Sequence, residues 1–166
     1  MQPNMNIIPI GYEYKYSGTY QFTATHEPDA DYRCYLARRL RDVKPFAPET
    51  HSCEAYPVDI SMDDVDGDVA AGISAVIDRD VLIIDMLWVD EAMRGQGIGR
   101  RLVQMVEDIA IERDCYRVRV RATDAVAFFV DQGYAITGTI QAVPSAQEME
   151  DGKIVGQAVY WLVKDF

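Results

Sequence analysis

The chain has 166 residues, enough for one ordinary domain with a substantial core. Apolar residues make up 49% and charged residues 26%, the balance of a globular chain rather than a disordered or membrane-spanning one. A formal net charge of −11 opposes nucleic-acid binding, whose phosphates need a basic surface, and suits either a cationic substrate or simple solubility.

Residues 1 to 9 read as a flexible tail, and residues 10 to 166 as a single domain. Tyr12, Tyr14 and Tyr16 alternate, Ser17-Gly18 supplies a turn, and Tyr20 to Thr25 is rich in strand formers, which predicts a hairpin. Asp29 or Asp31 can cap a helix whose apolar stripe is Tyr32, Tyr35, Leu36, Leu40 and Val43, ending before Pro45. Its arginines, Arg33, Arg38, Arg39 and Arg41, read as a solvated face. Residues 46 to 50 form a loop.

From Ala55 the period changes to two. Strands are expected over 55–62, 69–77 and 81–89, joined by turns at Asp66-Gly67 and Asp78-Arg79-Asp80, an antiparallel meander. The acids from Asp63 to Asp68 have the density of a calcium loop but not its spacing. Met62 falls at the first ligand position and Ile73 where a bidentate Glu belongs. Ile98, Leu102, Met105, Val106, Ile109 and Ala110 share one helical face over about four turns. A strand with Val118 and Val120 alternating with arginines follows, then a short helix over 125–132 stopped by Gly133, a strand over 134–142, a polar loop over 144–156 and a closing strand over 157–164. The fold class is α+β, mixing a meander with a later α/β portion.

No apolar run approaches the ~18 residues of a transmembrane helix, and Met1-Gln2-Pro3-Asn4 lacks the regions of a signal peptide, so a cytoplasmic chain without membrane contact is expected. Cys34, Cys53 and Cys115 are odd in number and without a C-x-x-C pair. They point to buried or inert thiols rather than to disulfides, and no metal is expected. His26 and His51 read as surface residues in or beside loops.

The stretch Met93-Arg94-Gly95-Gln96-Gly97-Ile98-Gly99-Arg100-Arg101 joins a strand to the clearest helix. Its glycines let the backbone approach a bulky group, and the helix they open presents unpaired N–H groups and a positive dipole end, which suit an anion. Three arginines in a place that normally prefers acids support the same guest, each opposing the dipole by ~0.3–1 kcal/mol when no anion is present. The alternative is tight strand-to-helix packing, with the arginines paired to carboxylates elsewhere. No Lys-Ser or Lys-Thr follows, as a P-loop needs, and the G-x-G-x-x-G fingerprint fails because the sixth residue from Gly95 is Arg100.

The hexad Arg94-x-x-Gly97-x-Gly99 resembles the R/Q-x-x-G-x-G/A pyrophosphate loop of the GNAT superfamily of N-acetyltransferases. The segment from Leu87 to Gly99 resembles that family's strand, short loop and glycine turn, and Ala125 to Tyr134 resembles its A-x-x-[FL]-Y-x-x-x-G-[FY] helix and strand. The resemblance covers roughly residues 55 to 164 and extends to the ending of small bacterial members. It implies a mixed, mostly antiparallel sheet of about six or seven strands with a splayed parallel pair, and acetyl-CoA as cosubstrate in the wedge between those two strands. The cofactor-binding residues it implies are Leu87, Trp88, Val89, Arg94, Gly95, Gln96, Gly97, Ile98, Gly99, Arg100, Thr123, Phe128 and Phe129.

An amine attacks a thioester only when neutral, so a general base helps. Asp85, a carboxylate in an apolar strand on the face of Leu87 and Val89, is the candidate; the bland reading is a hydrogen bond to a neighbouring strand or tyrosine. Phe129 stands where the family usually has a tyrosine that serves the leaving thiolate. Tyr134 or another tyrosine then substitutes, the thiolate leaves unaided, or catalysis is lost. Ala122-Thr123-Asp124 offers no asparagine for the pantetheine, leaving Thr123 or Asp124. The leading expectation is a direct transfer of acetyl to a primary amine of a small, cationic acceptor. The rival is a CoA-binding or sensing protein without chemistry, and a weaker third is a structural module whose glycine loop binds nothing. Many members of the family are homodimers, and the Tyr12 to Tyr16 strand suits a dimer edge as well as a pocket wall.

Overall fold

The computed structural model describes residues 13–15 by their backbone, and 21–27, 29–40, 51–141 and 158–166 in full. The elements are β1 Glu13–Lys15, β2 Gln21–Thr25, α1 Ala30–Arg39, β3 Tyr56–Asp63, β4 Val69–Asp78, β5 Val81–Val89, a 3-10 turn Glu91–Met93, α2 Ile98–Glu112, β6 Arg117–Ala122, α3 Val126–Val130, β7 Ala135–Gln141 and β8 Ala158–Asp165. All the strands share one sheet in the order β1-β2-β3-β4-β5-β6-β8-β7. Eight strands stand where six or seven were expected. The short β1, paired with β2 as the hairpin reading requires, brings the number to eight. Among the described strands only β5 and β6 run parallel; the other neighbours are antiparallel. The expected tail, the loop after α1 and the loop over 144–156 lie outside the described residues, as do Arg41 and Val43.

The sheet has two faces with different partners. On one, the apolar stripe of α2 from Ile98 to Ala110 is buried against Ile60, Ile73, Ala75, Leu82 and Ile84. This is the larger core, and α3 contributes Phe129 to it. The other face receives α1, whose N-cap Asp29 accepts from the Tyr32 backbone N–H at 3.0 Å. The Tyr32 hydroxyl donates to the Ile60 carbonyl at 2.8 Å.

Arg33 was expected on a solvated face. Instead its Nε and an Nη donate to the two oxygens of Asp59, both at 3.2 Å. Asp59 is buried, and a buried carboxylate needs a partner, which a helix lying on this face supplies. Arg39 is exposed, as expected, while its guanidinium lies over the rings of Tyr35 and Trp88, 5.1 and 5.2 Å from their centroids. The three thiols are free; Cys115 is buried, and Cys34 and Cys53 are exposed.

Gly72 permits the close approach of α1. A Cβ there would overlap the Tyr32 hydroxyl and lie 3.0 Å from Leu36 Cδ2. Gly72→Ala is expected to cost about 1–3 kcal/mol, because the tyrosine must leave its bond to Ile60. Urea unfolding monitored by circular dichroism measures the loss; an unchanged midpoint refutes the tight contact.

Candidate active site

The middle of β5 departs from regular pairing. Ile84 faces Ala75 and Met86 faces Ser74, so Asp85 is an extra residue in the strand, a β-bulge. The side-chain period is two, and one inserted residue therefore exchanges the faces of all that follows. Leu82 and Ile84 lie on the α2 side, and beyond the bulge Leu87 and Val89 take that side. Trp88 turns to α1, its ring edge-on to Tyr35 at 5.9 Å. The expectation that Asp85 shares a face with Leu87 and Val89 is thereby corrected. It assumed an uninterrupted strand.

The parallel ladder between β5 and β6 begins at Val81 with Arg117 and ends at Ile84 with Val120. From the bulge onward β5 remains bonded to β4 only, among the described residues, and a wedge opens toward its C-terminal end. Leu87 and Val89 present backbone groups to the wedge, and Thr123 follows the last residue of β6, its hydroxyl donating to Asp124 at 3.2 Å.

Beyond Val89 the chain makes its 3-10 turn, with Asp90 accepting from the Ala92 N–H at 3.0 Å. It then enters the glycine loop. Gly95 and Gly97 have φ of +78° and +80°, conformations that L side chains rarely adopt, and neither has an atom within 4 Å of where a Cβ would stand. Gly99 serves differently: its missing Cβ leaves room for the tip of the Phe128 ring, which would be 3.4 Å away. Gly97 caps α2 without a side-chain bond, and the first turn of that helix holds no acid. Its first N–H groups face an open surface that Arg100 and Gln96 share, both exposed. Arg94 folds back, its Nε donating to the Val89 carbonyl at 3.0 Å.

The family model of the acetyltransferase (GNAT) family matches residues 19–134, which contain both the wedge and the glycine loop. The chain belongs to the GNAT acetyltransferase family. As an N-acetyltransferase of that family it is 30% identical over 111 residues to an acetyltransferase of Agrobacterium fabrum, covering 66% of this chain and 74% of the relative. It is 33% identical over 81 residues to blasticidin-S acetyltransferase of Streptomyces morookaense, covering 47% and 60% of the two chains. Among solved structures, a Bacillus anthracis protein in complex with acetyl coenzyme A superposes with a TM-score of 0.53 at 16% identity, over 66% of this chain and 62% of the other. That likeness speaks to the GNAT fold alone.

In the GNAT frame the aromatic residues of the α3 motif divide. Phe128 is half-buried beside Gly99, whereas Phe129 is 3% exposed and packs edge-on to Tyr134 at 5.2 Å. Ile98 is likewise a core residue. The Tyr134 hydroxyl donates to Glu107 Oε1 at 2.6 Å, and Lys164 Nζ donates to Glu107 Oε2 at 2.8 Å. Burial and the neighbouring Glu107 carboxylate push the Tyr134 phenol far above its usual range. A proton so held is a poor one to give a thiolate. Tyr134→Phe should therefore lower stability by about 1–3 kcal/mol through the broken bond while changing kcat less than twofold. Thermal unfolding and a thiol-release assay on the same preparation check the pair of outcomes, and a large fall in kcat would restore the tyrosine as a thiolate donor.

Two polar residues escaped the sequence reading. Glu107 hides on the buried arc of α2, where an acid one turn from Val103 was the available signal. His51, expected at the surface, is half-buried with Nε2 3.1 Å from Asp85 Oδ2. Its neighbour Ser52 fixes that loop by donating from N–H and Oγ to Asp78 at 3.1 and 2.8 Å. Elsewhere a groove of about 800 Å³ lies between the N-terminal part of α1 and strands β2 and β3, with Glu27, Asp29, Asp31, Asp59 and Asp63 on its walls. Burial, and then Asp64, raise the Asp63 carboxyl above the ordinary range. No group of His, Cys, Asp and Glu among the described residues is arranged to hold a metal ion, and no described helix is long and apolar enough to cross a membrane.

Proposed function

We propose that this protein transfers the acetyl group of acetyl-CoA directly to a primary amine of a small, cationic acceptor, using one domain that runs from about residue 10 to residue 166. The observation that carries the reading is the end of the parallel ladder at the bulge, beside a glycine loop with empty space where two Cβ atoms would stand. These features fit the cosubstrate. The unpaired edge of β5 at Leu87 and Val89 suits an extended amide-bearing arm, which would pair as an added strand. The open N–H groups from Gly95 to Arg100 suit a pyrophosphate, with the guanidinium of Arg100 as a second charge and that of Arg94 able to leave Val89 for the same purpose. Trp88 and Ile98 contribute backbone in this reading, since their side chains are core. Thr123 and Phe128 border the arm, and Phe129 supports Phe128 from behind.

Acetyl-CoA, when bound, supplies an activated acyl carbon and a thiolate leaving group of pKa ~8.5, low enough to depart unaided near neutrality. The chain's task is then to hold the amine neutral and aimed, and Asp85 lies at the point where the wedge opens. Support for a cationic acceptor comes from the overall charge of −11 and from Glu27, Asp29, Asp31 and Asp63 on the walls of the groove beside α1, Asp59 there being paired with Arg33.

The test is a panel of amines, headed by blasticidin S because one relative is named for it, with release of free CoA thiol as the signal. Turnover of a cationic amine supports the reading. CoA binding without turnover on any amine would select the non-catalytic binder that Phe129 suggests, and absence of CoA binding would overturn both.

A further inference from the structure

We propose that β7 is the surface through which two copies of this chain form a homodimer, joining their sheets edge to edge. Natural proteins blunt an edge strand by keeping it short, placing charge or proline on it, bending it with a bulge or covering it. The edges here are β1 and β7. β1 has three residues, of which Glu13 and Lys15 are charged, so this edge is protected although the tyrosine strand was expected to suit a dimer. β7 reads Ala135-Ile136-Thr137-Gly138-Thr139-Ile140-Gln141, with neither charge nor proline. Six of its seven residues are exposed, Gly138 being the exception, and Ile136 and Ile140 show 49% and 55% of their surface. Among the described residues no strand pairs with its outer edge.

Charge selects a second copy as the occupant. Each chain carries −11, so two copies repel wherever their acids meet and must touch where charge is absent. In a chain that is 26% charged, no charged residue occurs in the sequence from Gln132 to Gln147. A basic partner would instead be drawn to the acids elsewhere on the surface.

The geometry of the strand supports the same occupant. β7 has one irregularity, at Thr137, where Ile136 faces Leu162 and Gly138 faces Trp161; from Gly138 to Gln141 its pairing is regular and its outer edge is straight enough to accept a strand. The twofold axis of an antiparallel pair stands perpendicular to the sheet, so each residue meets one on the same face. With Thr139 on the axis, each Thr139 faces its copy and each Ile140 faces the partner's Gly138. The glycine leaves the indole behind it uncovered, since a Cβ there would stand 3.8 Å from Trp161 Cδ1. An isoleucine from the added strand closes that gap, twice per dimer, and the isologous pairing ends at two copies. Arg119 and Arg121 lie over the same indole, 5.5 and 5.3 Å from its centroid, so the interface abuts the β6 side of the wedge.

Light scattering on protein eluting from a sizing column is the test, with circular dichroism to confirm that each variant is folded. The parent at micromolar concentration should show about twice the chain mass of 18.7 kDa. Ile140→Lys, which sets an ammonium group against the partner's indole, should raise the dissociation constant of the dimer roughly tenfold or more. Ile111→Lys, at an apolar residue 52% exposed near the end of α2, should leave the dimer unchanged. In a Cys34→Ser, Cys53→Ser background, Thr139→Cys should form a disulfide between the two copies on mild oxidation, because directly opposed positions of an antiparallel pair lie about 4.5–5.5 Å apart at Cα. A monomeric parent, a dimer that Ile140→Lys leaves intact, or a cysteine at position 139 that fails to trap it each overturns the proposal. A parent held as a monomer by another segment of its own chain on β7 would appear as the first of these.

Discussion

Asp85→Asn is expected to reduce kcat/KM for the best amine by about 10²- to 10³-fold, with acetyl-CoA affinity within twofold of the parent. The asparagine keeps size and leaves the bulge in place, so the wedge and the glycine loop should be undisturbed. What changes is the basicity of the group that faces His51. A carboxylate can take a proton, whereas an amide cannot. Steady-state kinetics and isothermal titration with acetyl-CoA separate the two quantities. A variant that binds and turns over as the parent does would show Asp85 to be an ordinary strand acid.

Gly97→Trp should abolish measurable binding of acetyl-CoA, a loss of at least 100-fold. Two costs combine. The φ of +80° is unfavourable for any L residue by roughly 1–2 kcal/mol, and an indole projected into the open space above the first turn of α2 occupies the volume proposed for the pyrophosphate. Gly97→Ala separates these, since its methyl group meets nothing within 4 Å; its loss should be no more than about tenfold. Calorimetry on the three proteins gives the series. Equal affinities throughout would mean that the loop is a packing device, as the alternative reading of the glycines holds.

Much of the fold is legible because periodicity is strong where burial is one-sided. The span 81–89 and the helix beginning at Ile98 follow from repeats of two and 3.6. The glycine loop was equally readable, since positive φ and an uncapped first turn select particular residue types. What escaped depends on contacts between distant segments. Nothing in Val81 to Val89 announces that Asp85 is supernumerary, because a bulge is defined by the partner strand's count. His51 has no period around it, and its approach to Asp85 spans 34 positions of sequence. Arg33 looked solvated because the acid that claims it lies on β3. Tyr134 looked available because Glu107 sits behind an apolar helical pattern.

The bulge also makes β5 unequally tolerant of two kinds of genetic change. Replacing Asp85 alters chemistry at one point and leaves the course of the strand intact, but deleting it would set Ile84 and Leu87 two residues apart, still on the α2 side, and remove the irregularity at which β5 leaves β6. The apolar faces of β5 therefore survive either change, and the deletion acts through the shape of the strand alone. Along a lineage of such chains, the core would not betray the loss of the extra residue, whereas the opening between β5 and β6 would.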